Sequence, residues 1–111
     1  MRIGILLTTS PEHENTFTVC SITEALIAQN HSVDIFLMDD GVLNAVINFS
    51  KRKLFSNFGG LLEKNVRVSL CAMSAESRGI REDQLLPGTG YFSQTELSEI
   101  VKKSDRFLSF G

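Results

Sequence analysis

Cys71 closes the apolar run Val66-Arg67-Val68-Ser69-Leu70 and opens a stretch of small residues, Ala72-Met73-Ser74-Ala75, that leads into Glu76-Ser77-Arg78-Gly79. A cysteine where a strand ends and a helix can begin is a candidate nucleophile. Free backbone N–H groups and the positive end of the helix dipole both favour thiolate over thiol there, and the thiolate is the reactive form. Free cysteine is also among the most buried residue types, so position alone leaves an inert apolar role open. Arg78 could add positive charge, at a distance of about two helical turns.

Spacing separates the thiol chemistries. An anion-encircling loop of the phosphatase or arsenate-reductase kind needs C-x5-R, so that backbone donors and one guanidinium surround a tetrahedral anion. This sequence has C-x6-R, no glycine inside the loop, and Ser77 where the arginine should stand. A dithiol redox motif needs C-x-x-C, and the fourth position is Ser74. A cysteine hydrolase needs a partner base. The chain has two histidines, His13 and His31. His31 falls between a helix and a strand at the opposite rim, and His13 reads as a solvated residue in the first turn of a helix. What remains is a thiolate with no base, redox partner or anion ring, a description that fits a group carrier better than a hydrolase.

The remaining candidates point to structure. Asp39-Asp40 has no histidine nearby and reads as a turn and helix-start pair, so no metal or other cofactor is expected. Cys20 falls about 100° around a helix from Val19, off the apolar stripe and near Ile27. There it would pack on a flank or at a subunit contact, away from Cys71. Lys51-Arg52-Lys53 is a compact basic run that reads as solvated surface, and with a net charge of −2 no direct nucleic-acid partner is expected.

These residues need elements to hold them. Met1 to Thr8 is nearly all apolar, as a central parallel strand tends to be. Ser10-Pro11 reads as an N-cap with proline at the first helical position. That helix should run to about Gln29 with Val19, Ile22, Ala25 and Leu26 on its buried face, and Asn30 should stop it. Val33 to Met38 is a second strand, and Asp39-Asp40-Gly41 turns out of it into a short helix ending near Ile47. Leu54, Phe58, Leu61 and Leu62 recur at helical spacing, with Asn65 as the stop. Val66 to Leu70 is a third strand, Pro87-Gly88 a turn, and Tyr91-Phe92 a very short fourth strand. Ser93-Gln94-Thr95-Glu96 matches a capping box, and Leu97, Ile100 and Val101 give the helix it opens a buried face. Arg106 to Phe110 is a last, edge strand.

Strands alternating with helices predict an α/β fold: a three-layer, open, mostly parallel sheet with helices on both faces. Right-handed crossovers would set every strand's C-terminal end on one rim, where such sheets gather their working groups. A length of 111 residues suits one domain, residues 1–111. No apolar run approaches the ~20 residues of a membrane span. The N-terminal apolar run is too short for a signal-peptide core, so the chain reads as cytoplasmic. In a reducing cytosol its two cysteines are not a disulfide framework.

The segment Cys71-Ala72-Met73-Ser74-Ala75-Glu76-Ser77-Arg78-Gly79-Ile80 resembles the cysteine segment of the DsrE/TusD (DsrEFH-like) sulfur-relay family. There a cysteine after the third strand is followed by small residues, then Arg-Gly and Ile or Val. Cys71, Ala75, Arg78, Gly79 and Ile80 occupy the matching places. The first strand running into Ser10-Pro11 is similar, as are Glu24-Ala25-Leu26-Ile27-Ala28 with His31, Asp40-Gly41-Val42 with Asn44-Ala45, and the ending Ser104 to Phe110. The resemblance covers essentially the whole chain.

It implies a flavodoxin-like sheet of about five strands and assembly into trimers, hexamers or heteromers with related subunits. It also implies a persulfide held on Cys71, exchanged with sulfur-donor and sulfur-acceptor proteins in the manner of a sulfurtransferase. In the best-known members this sulfur travels from a cysteine desulfurase toward tRNA thiolation, or takes part in dissimilatory sulfur oxidation. Arg78 would stabilise the anion. Ser10, Asp40, Gly41, Ala72, Ala75 and Gly79 would form the rim around it. Glu76-Ser77 departs from the pattern, since relay members can carry a more basic stretch there. The alternatives are an oligomeric binding or scaffolding module of the same fold without sulfur transfer, and a small-molecule site formed by Ser10, Asp40 and Cys71.

Overall fold

The computed structural model describes residues 1–47 and 57–111. The basic run Lys51-Arg52-Lys53 and the helical position Leu54 lie outside the described residues.

Five strands, β1 (Arg2–Leu7), β2 (Ser32–Leu37), β3 (Arg67–Cys71), β4 (Tyr91–Phe92) and β5 (Arg106–Phe110), form one sheet in the order β4-β3-β2-β1-β5. Every pairing is parallel. Among the described residues the helices are α1 (Glu14–Ala28), α2 (Phe58–Glu63), α3 (Ala72–Ser77) and α4 (Gln94–Lys103), with 3-10 turns at Asp39–Ala45 and Glu82–Gln84.

Alternation along the strands divides the interior into two layers. Ile3, Ile5, Leu7, Val33, Ile35, Leu37, Val68 and Leu70 face the larger core, which Val19 and Cys20 of α1 and Phe58 and Leu61 of α2 complete. The opposite face is smaller. It gathers Leu6, Phe36 and Cys71 against Leu97 and Ile100 of α4, with Phe107 from β5. Asp34 is buried at 5% exposure. Its carboxylate is held by Arg2 Nε at 2.9 Å and Arg67 Nε at 3.7 Å, the pairing that a buried charge requires.

Three helices end the same way. Asn30, Asn65 and Gly79 follow α1, α2 and α3 with φ of 67°, 66° and 69°. In each case the next residue donates its N–H back across the last turn: His31 to the Leu26 carbonyl, Val66 to Leu61 and Ile80 to Ala75. This is the Schellman ending, which needs a left-handed residue just past the helix. Asn30 and Asn65 are thus helix stops, as the sequence indicated.

Several sequence expectations are corrected. Helix α1 does not start at Ser10-Pro11. Its N-cap is His13, whose Nδ1 accepts the Asn15 N–H at 3.1 Å. Ser10 instead heads a preceding turn, and its carbonyl accepts the His13 N–H and the Thr16 hydroxyl. The buried residues of α1 are Thr16, Val19, Cys20 and Thr23, while Ala25 is exposed. Cys20 therefore lies in the core and not on a flank. The turn after β2 is 3-10 in character and begins at Asp39, so Gly41 is inside it. Strand β3 is shifted one residue from the expected Val66–Leu70, because the Val66 N–H is taken by the end of α2. Ser93 caps α4 through the Thr95 N–H, and the Glu96 N–H goes to the Ser93 carbonyl. Val101 is exposed, which leaves Ile100 as the buried residue of α4.

Candidate functional site

Cys71 is the last residue of β3 and the N-cap position of α3, with φ −69° and ψ 118°. Since Arg67, Ser69 and Cys71 alternate with Val68 and Leu70, the thiol points to the α4 side of the sheet. It packs there with Phe36 and Ile100, and the residue as a whole is 3% exposed. Cys71 nevertheless forms part of the wall of an open cleft of about 280 Å³, lined also by Ala72, Met73, Glu76, Ser93 and Gln94.

The far wall arrives through the sheet. Strand β4 pairs with β3 in the register Leu70↔Tyr91 and Cys71↔Phe92. The chain leaving β4 therefore turns into α4 beside Cys71. The Ser93 cap makes Gln94 the first residue of α4. Its Nε2 lies 3.6 Å from Cys71 Sγ and 3.2 Å from Met38 Sδ.

Opposing influences set the state of the thiol. Burial pushes it up and is the largest single influence. Hydrogen bonds from the Ser74 hydroxyl and N–H, the Gln94 side chain and the Met73 N–H pull it down, and together they leave it below the ordinary 9.0. The Ser74 hydroxyl is well placed to donate, because its oxygen accepts the Asp39 N–H at 3.0 Å and its proton remains for the sulfur. Cys20 behaves oppositely. Burial pushes its thiol up to about 11, a backbone bond from Asn57 offsets this in part, and the charge of Glu24 adds to it. The cysteines are free and lie on opposite faces of the sheet.

Of the expected rim residues, Ala72 lines the cleft. Arg78 is tied to the 3-10 turn: its Nε and Nη2 each lie 3.0 Å from Asp40 Oδ1. Its Nη1 donates to the Ser74 carbonyl at 3.1 Å and to Ser77 Oγ at 3.3 Å. Gly41 lets the same turn press onto β1, where a Cβ would stand 2.2 Å from the Leu7 carbonyl oxygen. Ser10 belongs to the turn before α1, where its carbonyl is occupied. Ala75 faces the larger core and its carbonyl accepts the N–H groups of Arg78 and Ile80. Gly79 is the left-handed residue that ends α3. Cys71 and Ala72 thus share the cleft, Asp40 and Arg78 brace it from behind, and Ser10, Gly41 and Ala75 serve the packing around it. Gln94, Ser74 and Ser93 are residues of the site that spacing around Cys71 did not reveal. The Ser93 cap was the one sequence signal near them.

Among the described residues, no group of three or more His, Cys, Asp or Glu side chains could hold a metal ion. No helix there is long and apolar enough to cross a membrane.

Comparison with known proteins agrees with this fold. The profile of the DsrE/DsrF-like family matches residues 1–110. Sulfurtransferase TusD of Buchnera aphidicola subsp. Schizaphis graminum is 32% identical, over 87% of this chain and 89% of that protein. Among solved structures, the ychN protein of E. coli superposes with a TM-score of 0.86 at 28% identity, covering 99% of each chain. MTH1491 of Methanobacterium thermoautotrophicum shares the fold with a TM-score of 0.76 at 16% identity, over 96% of this chain and 97% of its own.

Proposed function

The chain belongs to the DsrE/DsrF-like family, and from that premise we propose that it is a sulfur carrier that holds a persulfide on Cys71. The Cys71 thiolate attacks the outer sulfur of a donor persulfide, a new S–S bond forms on Sγ, and the donor leaves as a thiolate. An acceptor thiolate then attacks the outer sulfur now on Cys71. The S–S bond breaks, its electron pair returns to Sγ, and Cys71 is regenerated with no net redox change.

The observation that carries this reading is the Cys71 sulfur, held at the wall of a cleft by donors that favour its thiolate. Ser74 and the Met73 N–H stabilise the charge directly, and Arg78 acts by fixing the Ser74 peptide. The sulfurtransferase name of the Buchnera relative supports the chemistry. On this reading the partners are sulfur-donor and sulfur-acceptor proteins in a reducing, cytoplasmic setting. The chain assembles as a trimer or hexamer, with itself or with related subunits.

Intact-protein mass spectrometry after incubation with a low-molecular-weight persulfide tests the assignment. The wild-type chain and Cys20→Ser should each gain one sulfur atom, and Cys71→Ser should gain none. Gain by Cys71→Ser with loss in Cys20→Ser would move the site to the wrong face of the sheet. No gain by the wild-type chain would leave a binding module of the same fold without sulfur transfer.

A further inference from the structure

We infer that Gln94 is a sulfur-holding residue of this site, its carboxamide N–H donating to the Cys71 sulfur in the thiolate and to the outer sulfur once a persulfide forms. The second half rests on the carrier reading. The first half rests on geometry alone.

The amide nitrogen stands between two sulfurs, 3.6 Å from Cys71 Sγ and 3.2 Å from Met38 Sδ. An NH2 group has two hydrogens, and a thioether and a thiolate are acceptors without a proton to give. The weak Met38 contact takes one hydrogen of the exposed Gln94 amide and leaves the second for Sγ. With the amide reversed, its oxygen would face the charged sulfur and repel it. Met38 follows β2, Gln94 opens α4 and Cys71 ends β3, so three separate elements meet at this one donor.

Sulfur uptake extends the side chain by about 2 Å, the length of one S–S bond. The buried side of Sγ is occupied by Phe36 and Ile100. The added sulfur must therefore enter the cleft, along the wall that Gln94 forms. Charge moves outward with it, away from the start of α3 and within reach of the amide. Among the described residues, the charged groups around this point are few. Glu76 of α3 lies on the cleft wall. Asp40 of the 3-10 turn is paired with Arg78, and Asp39 beside it gives its N–H to Ser74. The cap and first residue of α4 that reach the cleft, Ser93 and Gln94, are uncharged. A neutral donor is thus the group that can take up charge on this wall without forming an ion pair.

Two variants of nearly equal size test this: Gln94→Met, which keeps length but cannot donate, and Gln94→Glu, which replaces the donor with an acceptor carrying charge. The rate of Cys71 alkylation is followed against pH in Cys20→Ser backgrounds, with thermal unfolding as a check on folding. The midpoint should rise by about half to one pH unit in Gln94→Met, roughly a threefold to tenfold loss of thiolate at neutral pH, and further in Gln94→Glu. The persulfide loaded on each variant should decay faster than on the wild-type site, in the same order. A packing role alone would leave the Gln94→Met midpoint in place, and that result overturns the inference. If the wild-type site takes up no sulfur, the carrier reading falls, while the alkylation midpoints still decide whether Gln94 holds the sulfur.

Discussion

Arg78 is held to Asp40 by two of its nitrogens, Nε and Nη2, each 3.0 Å from the same carboxylate oxygen. The contact joins the end of α3 to the turn that leaves β2. A third nitrogen, Nη1, grips the Ser74 carbonyl one turn back. The guanidinium thus locks the first turn of α3, where Ser74 presents its hydroxyl and N–H to the sulfur.

Ser74 and Arg78 should therefore differ in their effect on the thiol. Ser74→Ala removes a direct donor and raises the midpoint of Cys71 alkylation by about half to one pH unit. Arg78→Ala shifts it by less than half as much and lowers stability by about 0.2–1 kcal/mol, the range for a solvent-exposed ion pair. Alkylation kinetics against pH and denaturant unfolding measure the two effects separately. A larger thiol shift in Arg78→Ala than in Ser74→Ala would mean that the cation acts on the sulfur directly.

Cys20 links stability to alkaline pH. Its folded thiol is pushed up to about 11 from an ordinary 9.0. The unfolded chain releases this proton first, so the contribution is intact below pH 9 and is lost as pH rises toward 11. Over that window it costs about 2–3 kcal/mol of unfolding free energy. Denaturant unfolding at pH 8 and pH 10.5 should show the loss in the wild-type chain and a smaller one in Cys20→Val.

Glu76 is the acidic side chain among the residues lining the cleft. Glu76→Lys should speed sulfur uptake from an anionic donor such as thiosulfate or glutathione persulfide by about threefold to tenfold. The gain should shrink as salt is added. Stopped-flow uptake at two ionic strengths measures it, and an unchanged rate would place the approach of the donor elsewhere.

Gly79 ends α3 with φ of 69°, the geometry that Asn30 and Asn65 adopt after α1 and α2. Gly79→Asn should accordingly lose only a few tenths of a kcal/mol, and Gly79→Ala about 1 kcal/mol. Thermal unfolding resolves the difference, and equal losses would mean that the left-handed turn is not what constrains this position.

Much of this was legible in the sequence because it depends on local rules. The apolar strands, the asparagine stops and the cysteine at a strand end each follow from a few neighbouring residues. The start of α1 was misread because Ser10-Pro11 imitates an N-cap, while the cap is the less common His13. Its buried face was misread because Thr16 is polar, although its hydroxyl is satisfied inside the fold by the Ser10 carbonyl. Ala75 matches the resemblance to sulfur-relay proteins, but a six-residue helix turns it toward the core. Gln94 was out of reach for a different reason. It meets Cys71 only because β4 pairs with β3 in one particular register, and no spacing near the cysteine encodes that partner.

The same register has a mechanical meaning. Only two residues of β4 pair with β3, with the Leu70 N–H bonded to the Gly90 carbonyl beside them. A short edge ladder of this kind opens at far less cost than the central strands of a domain. The wall bearing Gln94 thus follows the most lightly paired strand of the sheet, and the wall bearing Cys71 ends an interior strand bonded on both sides.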